Sequence, residues 1–326
     1  MKKIHLLLLV MLIGLALHAK ETTADFIVDS RGDGNFRTIQ EAINAVPDFR
    51  KSETVIFIKN GAYKEKLVLP ASKTNVTFEG EDKMQTIITN DDYAQKKNVF
   101  GEEMGTTGSS GFFVFGDGFK AENITFENSA GPVGQAVAVR VTADKVAFYN
   151  CRFLGNQDTL YPNGKHSRQY YKDCYIEGTV DFIFGWATCL FDNCIIFCKT
   201  AGYITAASTD KNNKFGFVFR NCHITGNASE SSFYLGRPWR PYSNVVYLGC
   251  QIDSHVKPEG WNNWGKESNQ QTAFYAEYKC NGDGANIEKR VEWSHQLTDE
   301  QATQYTIENI FSKDANMPTY DADWIP

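Results

Sequence analysis

Two carboxylates stand at matching places in a repeated frame: Asp158 is seven residues after Cys151, and Asp181 is seven residues after Cys174. If successive frames lie side by side in register, the two backbones are one strand spacing apart and the side chains share a face. Like charges that close do not both ionise easily, so one pKa rises. An ionised carboxylate beside a protonated one is what ester or glycoside hydrolysis requires. An Asp closing a strand is as readily a turn residue bonded to its own backbone, and spacing alone weighs the two readings equally. The surrounding residues favour chemistry. Gln157-Asp158-Thr159-Leu160 is answered by Val180-Asp181-Phe182-Ile183-Phe184-Gly185, where an acid sits among large apolar side chains and needs a partner. Arg237 is a candidate, able to grip a carboxylate with two parallel hydrogen bonds.

The frame that positions these acids runs along much of the chain. It reads Asn150-Cys151-Arg152-Phe153, Asp173-Cys174-Tyr175-Ile176, Asn193-Cys194-Ile195-Ile196, Asn221-Cys222-His223-Ile224 and Gly249-Cys250-Gln251-Ile252, at spacings of 23, 20, 28 and 28 residues. Asn75-Val76-Thr77-Phe78 and Asn123-Ile124-Thr125-Phe126 fit it without the cysteine. A self-similar period of this size marks a solenoid, and the frames are strand-like, punctuated by Gly, Asn and Asp. The expected fold is all-β: a right-handed parallel β-helix with one strand per frame and further strands between frames. Ile39, Ala42, Ile43 and Val46 before Pro47 predict one short amphipathic helix capping the N-terminal end. The framed cysteines are expected to stack inward as free thiols, which pack as small hydrophobes. Cys189, Cys198 and Cys280 fall outside the frame, and a bond among Cys189, Cys194 and Cys198 stays open. No Cys and His spacing suits zinc, and no metal or cofactor is expected.

Lys2 and Lys3, the apolar run Leu6 to Leu17, and the small Ala19 before Lys20 read as a signal peptide over residues 1–19. The run is shorter than the roughly 20 residues a membrane-spanning helix needs. Residues 20–326 are expected to form one exported catalytic domain, a monomer in the periplasm or outside the cell. The net charge of -6 argues against a nucleic-acid partner.

At this point the chain resembles the pectinesterase (pectin methylesterase) family. The resembling segments are Gly61-Ala62-Tyr63-Lys64-Glu65, Gly134-Gln135-Ala136-Val137-Ala138, Gln157-Asp158-Thr159-Leu160, Asp181-Phe182-Ile183-Phe184-Gly185 and Leu235-Gly236-Arg237-Pro238-Trp239, in the family's order. Gly260-Trp261-Asn262-Asn263-Trp264 and Phe274-Tyr275-Ala276-Glu277-Tyr278 extend it over nearly all of the mature chain. The resemblance implies hydrolysis of the methyl esters of galacturonate in pectin to carboxylate and methanol. It implies Asp181 as nucleophile, Asp158 as acid and then base, Gln157 and Gln135 as oxyanion donors, and Arg237 as the group orienting Asp181. Trp239 and Phe184, with Gln135 and Arg237, are implied in holding substrate. The sequence departs from the family at Gly111, where Thr or Ser is usual, which removes an expected hydroxyl contact, and at Asp283, where Pro is usual.

Strand parity constrains that mapping. Adjacent strand residues face opposite sides, so Gln157 and Asp158 address one cleft only where the chain bends, and Gly155-Asn156 supplies a breaker. Phe184 differs in parity from Asp181 and reaches substrate if the strand ends before Gly185.

Other chemistries fit less well. No Gly-x-Ser-x-Gly elbow is present for a serine esterase, and His166, His223, His255 and His295 lack nearby Ser or carboxylate patterns. Trp261 and Trp264 suit a sugar groove or packing equally. A glycosidase acting on galacturonan also uses paired carboxylates; a non-catalytic wall-binding β-helix needs none. A calcium-dependent lyase needs a cluster of acidic ligands.

Overall fold

The computed structural model describes residues 24–312 and 324–325; the expected signal peptide lies outside them. Short parallel strands stack coil upon coil on three faces. The first face is an 11-stranded sheet running from Phe26–Val28 to His295–Gln296. The second runs through Gly61–Lys64, Thr86–Asn90, Thr125–Asn128 and Arg152–Leu154 into the leading part of Tyr175–Gly185. The third runs through Leu67–Leu69, Phe112–Val114, Val139–Val141 and Leu160–Pro162 into the trailing part of that same long strand. Each coil in this region therefore carries three strands, and the fold is the expected parallel β-helix.

The Asn in each Asn-Cys frame is the corner between the first and second faces. Asn123, Asn150, Asp173, Asn193 and Asn221 all have φ between 50 and 57°, the left-handed region that Asn and Asp tolerate best after glycine. Asn75, at φ 55°, is instead the corner between the third and first faces, because Val76–Gly80 pairs with Lys120–Glu122 on the first face, so Asn75-Val76-Thr77-Phe78 does not share the register of the expected frame. The corner side chains of the frame bond along the stack, as from Asn150 Nδ2 to Asn123 Oδ1 at 2.6 Å. The next residue then points inward, which is why cysteine recurs there. All eight cysteines are free, so no bond joins Cys189, Cys194 and Cys198. Cys280 proves to belong to the frame: Lys279 holds the corner at φ 48° and the Cys280 thiol points at the Tyr247 carbonyl, one coil below. A lysine in place of Asn hides this repeat in the sequence.

Aromatic rings fill the interior in one continuous stack. Phe148, Tyr171, Phe191, Phe219 and Tyr247 lie nearly parallel at centroid spacings of 5.1, 4.7, 4.5 and 4.5 Å, matching the ~4.8 Å rise of the strands that carry them. Trp261 joins them between Tyr247 and Tyr275 with only 1% exposure, so it is a core residue.

The expected helix spans Ile39–Ala45, with Thr38 and Glu41 forming a capping box and Ile39, Ala42 and Ile43 buried. The Glu65 carboxylate accepts from the Ile39 and Gln40 amides, tying the helix to the second coil face. At the other end Asp299–Ala302 and Ile307–Phe311 return along the outside of the first face. There Phe311 and Trp324 cover Tyr170, Leu190 and Val218.

Candidate active site

The site forms where the chain turns from the second face to the third. Asp158 and Asp181 are themselves the corner residues, at φ 64 and 52°. A left-handed residue breaks strand alternation, so Gln157 and Asp158 line the same cleft. The bend thus sits on Asp158 itself rather than at Gly155-Asn156. Gly155 has a different task, since a Cβ there would lie 2.6 Å from Thr159 Oγ1. The strand Tyr175–Gly185 does not end before Gly185 either. Val180 and Ile183 pair with Tyr203 and Thr205, so three steps oppose two, and the extra residue is a bulge at Asp181-Phe182. That bulge brings Phe184 onto the cleft wall.

Consecutive coils place the acids one rung apart, with the Asp158 amide donating to the Val180 carbonyl at 3.1 Å and Leu160 paired with Ile183. Asp158 is 7% and Asp181 6% exposed. Arg237 Nε and Nη2 donate to Asp181 Oδ1 and Oδ2 at 2.9 and 2.7 Å. The guanidinium is held in turn between two rings, 3.8 Å from the centre of Tyr203 and 3.7 Å from that of Trp264. Among the described residues no side chain bonds the Asp158 carboxyl. Burial first, then the charge of Asp181, pushes Asp158 well above the usual carboxylate range. Burial raises Asp181 as well, but the hydrogen bonds and charge of Arg237 pull it back. Asp181, which alone of the two is paired with a cation, is the more readily ionised of the couple, and Asp158 the more readily protonated.

The acids lie under a cleft of about 540 Å³ whose lining includes every residue predicted for the site: Gln135, Gln157, Asp158, Asp181, Phe184, Arg237 and Trp239. Gln135 and Gln157 sit side by side in a parallel bridge on adjacent coils. Tyr161 stacks on Phe184 at 4.1 Å, and Phe184 meets Trp239 at 6.1 Å, making one apolar wall. Trp264 lines the cleft while Trp261 does not. Gly111 is not on the cleft, but the hydroxyl-bearing Thr106 and Thr107 of the same loop are. Asp283 and the four histidines His166, His223, His255 and His295 are absent from its lining.

Sequence reading missed Tyr161, Tyr203, Met104 and Gly105, and in the loop from Thr106 to Gly111 it looked for the substrate contact at Gly111 where the cleft is lined by Thr106 and Thr107. Tyr161 was legible: it follows Asp158 by three residues as Phe184 follows Asp181. Tyr203 was not, because its strand carries an irregular register against Tyr175–Gly185.

This arrangement brings together an oriented carboxylate, a second buried carboxyl group beside it, two side-chain amides and an apolar wall, a set suited to ester hydrolysis. Comparison with known proteins agrees with such chemistry. The family model for pectinesterase matches residues 25–314. Pectinesterase 31 of Arabidopsis thaliana is 43% identical over 305 residues, covering 91% of this chain and 95% of the relative. The structure of pectin methylesterase from carrot superposes with a TM-score of 0.81 at 35% identity, over 89% of this chain and 93% of the other. A pectin methylesterase in complex with hexasaccharide VII superposes with a TM-score of 0.79 at 31% identity, over 91% and 99%. This chain belongs to the pectinesterase family and is a carboxylic ester hydrolase.

Proposed function

We propose that the protein removes methyl groups from methyl-esterified homogalacturonan, with Asp181 as nucleophile and Asp158 as acid and base. An Asp181 oxygen adds to the C6 ester carbonyl, and the oxyanion forms beside the Gln135 and Gln157 amides. Collapse breaks the bond to the methoxy oxygen, which takes the Asp158 proton and leaves as methanol, and the galacturonyl group stays joined to Asp181 as an anhydride. Asp158, now ionised, takes a proton from water as the hydroxide adds to the acyl carbon. Collapse of this second intermediate frees the Asp181 carboxylate and releases galacturonic acid, which loses its proton to solvent and becomes the carboxylate, while Asp158 is left protonated for the next turnover. Arg237 holds Asp181 with both oxygens engaged, and Trp239, Phe184 and Tyr161 offer faces to the sugar.

The observation that carries this reading is the fork of Arg237 on Asp181 one rung from the buried Asp158, whose pKa is raised by burial and by the Asp181 charge. A family member in complex with a hexasaccharide supports an oligo- or polygalacturonate as the ligand here. The substrate class favours action outside the cytoplasm, and we take residues 1–19 as the export signal and the mature chain as a monomer. Among the described residues no helix is long and apolar enough to cross a membrane.

The test is methanol release from methylated pectin by the mature protein, with acidification of an unbuffered solution and no new reducing ends. Asp181→Asn should abolish it with the fold retained. A wild-type protein that yields reducing ends but no methanol would sink the proposal.

A further inference from the structure

The loop before the cleft approaches Gln135 twice. The Ala94 amide donates to the Gln135 backbone carbonyl at 2.8 Å, and Gln95 Nε2 donates to Gln135 Oε1 at 3.2 Å. The Gln95 amide also lies over Gly134, where an added Cβ would come within 3.3 Å of Gln95 Oε1 and where φ is 100°. The loop is fixed on its own side, since the Gly105 amide donates to the Ala94 carbonyl at 2.9 Å and Lys96 Nζ bridges Asp91 and Asp92 at 3.0 and 2.8 Å.

A primary amide has one acceptor end and one donor end. When Gln95 occupies the acceptor end of Gln135, the remaining NH2 is left for the cleft, where an oxyanion needs a donor. An amide turned the other way would present its oxygen to the same negative charge and oppose the reaction.

We propose that Gln95 is a positioning residue that fixes the polarity of the Gln135 amide, so that its NH2 faces the developing oxyanion. The proposal rests on the reading of Gln135 as an oxyanion donor. Gln95 touches no reacting atom and acts through Gln135 alone.

Three single variants and one double variant test it by kcat and KM for methanol release from methylated pectin. Gln135→Ala should lower kcat by roughly 10²-fold, the usual effect of removing one such donor. Gln95→Ala should lower kcat by about 2- to 10-fold, the span of one ordinary hydrogen bond, with KM unchanged, and should add nothing in the Gln135→Ala background. Gln95→Glu is nearly isosteric but only accepts when ionised, so it draws the Gln135 NH2 away from the cleft. Its kcat at the top of its own pH profile should fall below that of Gln95→Ala. The deficit should shrink as pH falls through about 4.3, where a glutamic acid regains a donor.

If Gln135→Ala keeps wild-type kcat, the oxyanion reading fails and this proposal with it. If Gln135→Ala is impaired while Gln95→Glu equals or exceeds Gln95→Ala, or the Gln95 and Gln135 effects add, only the positioning role is overturned.

Discussion

The Asp181 carboxylate and the Arg237 guanidinium meet through two hydrogen bonds of 2.9 and 2.7 Å, on a guanidinium already clasped by Tyr203 and Trp264. The fork sets both the direction and the charge of the carboxylate proposed as nucleophile. Arg237→Lys keeps a cation but loses the second hydrogen bond and the flat stacking surface. Its kcat should fall roughly 10²-fold, a typical result of loosening a reacting group. Because Arg237 holds the Asp181 pKa down, the acidic limb of the kcat/KM profile should also move to higher pH. Steady-state methanol release across pH reads both, and an unchanged limb would argue against charge control by Arg237.

Burial raises the Asp158 pKa, and that has a cost to folding with a definite pH dependence. Its folded pKa lies above the unfolded value near 3.9. Between the two, the unfolded chain binds fewer protons than the native state, so stability falls as pH rises through that window. Asp158→Asn, which resembles the neutral acid, should match the wild type in thermal midpoint at low pH. It should exceed it above about pH 4 and reach a constant difference past the folded pKa. Activity should be nearly lost. Equal midpoints at neutral pH would show that Asp158 is not held protonated.

The inward thiols should be chemically silent. Burial raises the pKa of Cys189, Cys194, Cys198, Cys222 and Cys250 well above the ordinary thiol value and lifts Cys151 to about 12. Thiolate is the reactive form. A disulfide-exchange chromogen added to native protein should find at most the half-buried Cys280 and should find all eight thiols in denaturant. Fewer than eight in denaturant without reductant would mean that a disulfide forms.

The left-handed corners predict an unusual substitution order. At Asn193, φ 55°, replacement by Gly should be tolerated better than replacement by Ala, whose Cβ costs about 1 to 2 kcal/mol in that conformation. Denaturant midpoints for Asn193→Gly and Asn193→Ala give the comparison. Equal losses would mean that the side-chain ladder, not the backbone, is what matters there.

The sequence by itself determined the coil repeat, the inward cysteines and the equivalence of Asp158 and Asp181, because a solenoid repeats its backbone and equal offsets from a repeated corner land on equal places. The same rule would have found Tyr161. Tertiary structure alone decided what departs from that repetition. The left-handed turn falls on the acids themselves, a bulge rather than a strand end brings Phe184 to the cleft, and Lys279 serves as a corner without looking like one. It also separated Trp261, sealed in the ring stack, from Trp264, laid on Arg237, although the two stand three residues apart in one motif. Such choices depend on packing against neighbouring coils tens of residues away, and local pattern carries no record of those contacts.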